Sequence, residues 1–256
     1  MSLRLPPITL WKETTATRCA GDEILSYWKA NTTLTFLVDL GIYHRSLRTV
    51  LDPDERGKEL LFKPVISRQR FVVSRAILKH ILHTILQTEN VSDIFLIRRV
   101  DGRILVRDYP GMYISLSYSG TSIAITLGKR KIGSDIEVLR PVDIGKIKSC
   151  PLFSDKNCRN EEESVQHFFH LWTLVEAYAK LHDSNPYPYL MWRDLPLDAD
   201  FVSYCVNYTS VFSLASGPDP GRHALLWLDT APWGISPPLT TTETRDRDRE
   251  NKTVHH

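Results

Sequence analysis

Two carboxylates on a strand and a long helix over about 161 to 182 carry the residues that could do chemistry. The segment KIGSDIEV, residues 131 to 138, reads as a strand. Alternate side chains of a strand share a face, so Asp135 and Glu137 stand on the same side, with Gly133 before them. Like charges that close repel unless a cation lies between them. Forty residues on, FFHLWTLVEAYAKLHD reads as a helix, with apolar residues recurring at three- and four-residue steps. Glu176 and Lys180 lie one turn apart on its flank, after Trp172. If this helix packs by the strand, Asp135, Glu137 and Glu176 converge. Three oxygen donors of that kind suit a hard divalent cation, Mg²⁺ above all, shared with substrate phosphate and water. Blander readings stay open: a solvated strand face for the acid pair, and an i,i+4 surface ion pair for Glu176 and Lys180.

A third segment is YISLSYSG, residues 113 to 120. Its serines alternate with Ile114, Leu116 and Tyr118, and it ends in glycine. It reads either as a strand entering a turn or as a hydroxyl-rich strand end where a ligand approaches backbone amides.

These elements need a frame. SRQRFVVSRAILKHILHTILQT, residues 67 to 88, is an amphipathic helix with isoleucines stepping by four. Before it, LDPDERGKELLFK begins with a helix-start pattern at Asp52 and Pro53, and residues 24 to 40 suggest a strand pair. After it come alternating segments DIFLIRRV, RILVRDYP, YISLSYS, SIAITLG and IGSDIEV, with a two-residue turn at Asp101 and Gly102. Further strands are expected near 200 to 216 and 222 to 229. The fold class is therefore α+β, in two similar lobes. Each lobe has a long helix on a mainly antiparallel sheet. The expected divisions are residues 1 to 128, residues 129 to 235, and a disordered polar tail from 236 to 256.

The charges nearly balance, 32 basic against 30 acidic, so no global field points to nucleic acid or to a membrane. No stretch has the apolar length of a membrane span or a signal peptide. Cys19, Cys150, Cys158 and Cys205 are scattered and read as free thiols. A cytoplasmic protein is expected.

Taken together, the three segments resemble a family. I-S-L-S-Y-S-G resembles N-L-S-H-S-x, I-G-S-D-I-E resembles V-G-I-D-I-E, and F-F-H-L-W-T-L-V-E-A-Y-A-K resembles F-x-x-x-W-x-x-K-E-A-x-x-K of the 4′-phosphopantetheinyl transferases, in the same order. The length is similar to the larger, pseudodimeric class that activates peptide and polyketide synthases and some fatty-acid carrier proteins. The resemblance implies transfer of the phosphopantetheine arm of coenzyme A to a serine of an apo carrier protein, with Mg²⁺ as cofactor and release of 3′,5′-adenosine diphosphate. Asp135, Glu137 and Glu176 match the metal positions. Glu176 and Lys180 match the catalytic ones. Arg70, Arg103, Ser117, Tyr118 and Ser119 match coenzyme A contacts, and the two arginines are equally readable as exposed surface residues. A monomer is implied. Tyr118 stands in place of the motif's histidine and Val175 in place of its first lysine. Both changes remove charge, so a relative that binds coenzyme A or a carrier protein without transfer is the alternative.

Overall fold

A computed structural model describes residues 7–11, 18–19, 21–143, 151–153, 160–191, 196, 198–218 and 221–228. The expected tail from 236, and most of the loop leading to the second long helix, lie outside these residues.

Two 22-residue helices dominate. The first, α3 (Val65–Leu86), follows α1 (Gly21–Lys29) and α2 (Pro53–Leu61); the second is α4 (Glu161–His182). Their starts follow local chemistry. Asp52 and Glu55 form a capping box with Pro53 at the first position of α2. Asn160 caps α4, and Glu161, Glu162 and Glu163 fill its first turn, favoured by the helix dipole. The expected strand pair over 24 to 40 is instead α1 followed by a strand. Asp22 and Glu23 in its first turn and Lys29 in its last suit a helix, and Asn31 in the left-handed region (φ 64°) ends it.

A four-stranded sheet has the order β1 (Ile8–Trp11), β9 (Asp200–Val206), β10 (Ser210–Ser216), β8 (Ile132–Val138). A seven-stranded sheet has the order β2 (Arg18–Cys19), β11 (Arg222–Leu228), β3 (Thr32–Asp39), β7 (Ser122–Gly128), β6 (Tyr109–Ser119), β5 (Ile104–Val106), β4 (Leu96–Arg98). Pairing is antiparallel except where β1 joins β9 and where β11 joins β2 and β3. The fold is thus α+β, with a long helix backing each sheet. At its two ends the chain crosses over: β1 pairs in the smaller sheet and β11 in the larger.

The layers stack as α3, larger sheet, smaller sheet, α4. Phe36, Ile125 and Leu127 of the larger sheet pack with Val73, Ile77 and Ile81 of α3. Leu37, Ala124 and Leu225 on its other face meet Ile136, Phe212 and Leu214 of the smaller sheet. Ala177 and Leu181 of α4 pack on Ala215 behind that. Gly133 is what lets α4 sit so close: a Cβ there would overlap the Ala177 carbonyl oxygen and the Leu181 amide nitrogen. Cys205 is buried with a free thiol.

Candidate active site

The site forms where β8 and α4 touch. Strand alternation turns Gly133, Asp135 and Glu137 toward the helix, and the glycine brings the helix in. Lys180 reaches back from the last turn. Its ammonium donates to Asp135 Oδ1 at 2.8 Å and to the Ser134 carbonyl at 3.1 Å. Asp135 is 5% exposed, and its Oδ2 is buried with no hydrogen-bond partner. Burial pushes the Asp135 carboxyl up, against the opposing pull of Lys180 and Ser117. Glu176 is half-buried. Burial raises its carboxyl, Lys180 lowers it, and the charges of Asp135 and Glu137 raise it again. Glu137 is held by Arg140 at 2.7 Å.

The serines of β6 play a part that sequence reading missed. β8 is the outer strand of its sheet, so one edge of its backbone lacks a strand partner. Ser115, Ser117 and Ser119 occupy that edge. Their hydroxyls accept from the amides of Ser134 (2.9 Å), Ile136 (3.1 Å) and Val138 (3.0 Å). Ser117 then donates to Asp135 Oδ1, and Ser119 to Glu137 Oε2, each at 2.6 Å. A ladder of side chains thus replaces a ladder of backbone and orients both carboxylates. Ser117 and Ser119 are buried in this seam.

Beside the seam lies a cleft of about 670 Å³ between α3 and the end of α4. It is open because β5 stops pairing with β6 at Ile114, leaving the rest of that strand edge uncovered. Arg70, Arg75, Arg98 and Arg103 line it, with Tyr118 and Lys180. Arg70 donates to the Gly120 carbonyl at 3.1 and 2.5 Å. Gly120 has φ +56°, a turn conformation that aims this oxygen at the arginine. Arg103 makes a two-pronged ion pair with Asp183, the left-handed residue that ends α4. Tyr118 donates to Ser74 of α3 at 3.0 Å. A cleft with this much guanidinium, and with Lys180 of the carboxylate centre in its wall, suits a polyphosphate ester.

Parts of the chain are similar to curated proteins. The chain is 25% identical over 138 residues to the 4′-phosphopantetheinyl transferase psf-1 of Bacillus pumilus, covering 53% of this chain and 59% of that one. It is 24% identical over 152 residues to the 4′-phosphopantetheinyl transferase Sfp of Bacillus subtilis strain 168, covering 58% and 64%. A further 4′-phosphopantetheinyl transferase of Bacillus subtilis is 30% identical over 82 residues, covering 31% and 37%. The chain is thus similar to 4′-phosphopantetheinyl transferases over about half of its length. Each of these matches spans less than two thirds of the relative's length. No protein-family model matches the chain.

The expected residues divide. Asp135, Glu137, Glu176 and Lys180 are brought together. Arg70, Arg103 and Tyr118 share the cleft, while Ser117 and Ser119 lie behind it. Arg75, Arg98, Asp183 and Arg140 were not foreseen. Among the described residues no three His, Cys, Asp or Glu side chains stand close enough to hold a metal ion. The donor types still fit a hard cation, and the unpartnered Asp135 Oδ2 is the kind of buried oxygen such an ion would satisfy. Val175 is fully buried against Leu152, Phe153 and Leu171, so at the motif's lysine position this chain builds core.

Proposed function

We propose that the chain transfers the 4′-phosphopantetheine arm of coenzyme A to a serine hydroxyl of an apo carrier protein, releasing 3′,5′-adenosine diphosphate. One observation carries the reading. Lys180, whose ammonium is bonded to Asp135, lines a cleft together with four arginines. We take residues 1 to 128 and 129 to 235 as the two lobes of a pseudodimer, with β1 and β11 exchanged between their sheets. We take the protein as a cytoplasmic monomer. No helix among the described residues is long and apolar enough to cross a membrane.

Asp135, Glu137 and Glu176 would hold Mg²⁺. Such an ion would supply positive charge against that developing on the leaving phosphate as the phosphoanhydride bond of the pyrophosphate breaks. Glu176 accepts the proton of the incoming serine hydroxyl; its raised carboxyl sits nearer the working pH than an exposed glutamate does. The Lys180 ammonium faces the leaving phosphate and stabilises its charge. Ser117 and Ser119 hold the acid pair in register while this happens.

A second reading is binding of coenzyme A without transfer. It is favoured by the cations already seated on Asp135 and Glu137 and by the open spacing of the carboxylates. Intact mass measurement of an apo carrier protein incubated with the chain, coenzyme A and Mg²⁺ separates the two. Transfer adds one phosphopantetheine mass, and the gain disappears with EDTA and with Glu176→Gln. Coenzyme A binding with no mass gain on any carrier type establishes the second reading instead.

A further inference from the structure

The short helix α2 packs inside out. Its two glutamates, Glu55 and Glu59, are buried. Glu55 is paired with Lys79 of α3 at 2.6 Å, and Glu59 accepts from Arg48 at 2.8 Å. Its leucines face outward, Leu60 at 64% exposure and Leu61 at 78%. Past Pro64, the first turn of α3 adds Val65 at 67% and Ile66 at 41%. Four large apolar side chains within seven residues thus stand in water at the corner between α2 and α3. A helix packed for stability alone would turn Leu60 and Leu61 inward, since a buried ion pair gains little over apolar groups of the same size. Exposed apolar surface that is contiguous marks an interaction face. The face is separate from the cleft: between Leu60 and Ile66, only Phe62 lines that space.

Charge and geometry say what covers it. With Glu55 and Glu59 turned inward, the exposed charges from Pro53 to Ile66 are Arg56, Lys58 and Lys63 against Asp54 alone. A second copy docked here by two-fold symmetry would set these cations against themselves. Three cations also fall short of the cluster of about four to eight that holds a segment to an anionic lipid surface. The corner is built from two helices and offers no strand edge to an extended segment. The segment that fits satisfies its own backbone, as a helix does.

We propose that the α2–α3 corner docks a partner protein through an amphipathic helix of that partner, apolar on one face and flanked by acidic side chains. The inference does not depend on the transferase reading.

The test uses the full chain and two labelled helical peptides of about 18 residues, read by fluorescence anisotropy. Both carry leucines along one face; glutamates flank that face in one peptide and lysines in the other. The acidic peptide should bind with a Kd at or below about 100 µM, and the basic one about 10-fold more weakly or worse. Leu61→Gln with Val65→Gln should weaken the acidic peptide by about 10-fold or more. The melting temperature of that variant should stay within about 2 °C of wild type, since both side chains are exposed. Lys58→Glu with Lys63→Glu should reverse the preference between the peptides. Equal affinity for the two peptides, binding of neither, or acidic-peptide binding that survives both pairs of substitutions overturns the inference. So does a dimer in sedimentation that the glutamine pair dissolves, which makes the occupant a second copy. Binding to phosphatidylserine vesicles that the same pair abolishes overturns it in favour of a lipid surface.

Discussion

Lys180 is the residue on which the centre turns. It is the cation bound to the most buried carboxylate of the site, 2.8 Å from Asp135. In Lys180→Met, Asp135 loses that charge and keeps only the Ser117 hydroxyl. Stability should fall by about 1–3 kcal/mol in urea titration, less than for a fully enclosed pair because Lys180 is partly exposed. Transfer should fall about 10²–10³-fold, since the leaving phosphate loses its donor. Val175 makes the opposite point. Restoring the family's lysine there would place an ammonium among Leu152, Phe153 and Leu171. Val175→Lys should destabilise the chain by several kcal/mol, read as a lower denaturation midpoint, with no gain in coenzyme A affinity.

At the scale of elements, the contact between β8 and α4 is set by one missing side chain. Gly133→Ala should push the helix off the strand, because backbone atoms of Ala177 and Leu181 occupy the space. The expected loss is about 3 kcal/mol or more by urea unfolding, the upper range for overpacking against rigid backbone. The seam between β6 and β8 is held by serines. Ser115→Ala leaves the buried Ser134 amide without its acceptor and should cost about 1–3 kcal/mol in the same measurement. Hydrogen exchange at that amide should speed up accordingly.

Across the whole molecule, buried neutral histidines set the acid limit. His223 lies between the sheets, bonded to Thr35 at 3.1 Å, and burial lowers its pKa from 6.5 to about 4. His170 on α4 is lowered to about 4, first by burial and then by His167. Both are neutral in the fold, and both bind a proton readily once unfolded. Their contribution is complete above pH 6.5 and is lost as pH falls from there toward 4. By the lower end each histidine should account for a loss on the order of 3 kcal/mol. Melting temperature measured from pH 7 to pH 4 should drop steeply, and less steeply in His223→Asn.

The sequence by itself determined the long helices, most strands and the approach of Lys180 to Asp135. Those features have local causes: a four-residue apolar step in α3, alternation in β6 to β8, glycine at the 101–102 turn, and an E-A-x-x-K spacing that puts Glu176 and Lys180 on one flank. Residues 24 to 29 went astray because Ile24, Leu25, Tyr27 and Trp28 make an apolar run too short to separate strand from helix, and the acidic first turn was the better guide. Only the tertiary structure decided which buried cation is bonded to carboxylates. Arg75 and Lys79 lie one turn apart on one helix, both buried, and no local signal separates them. One meets Glu55 and Asp52 and the other meets an open cleft. The serines of β6 read equally as a strand entering a turn and as a ligand-facing strand end; in the fold they also bond the edge of a strand that belongs to another sheet. Partnership of this kind depends on which distant segments become neighbours, and pairwise periodicity along a chain carries no record of that.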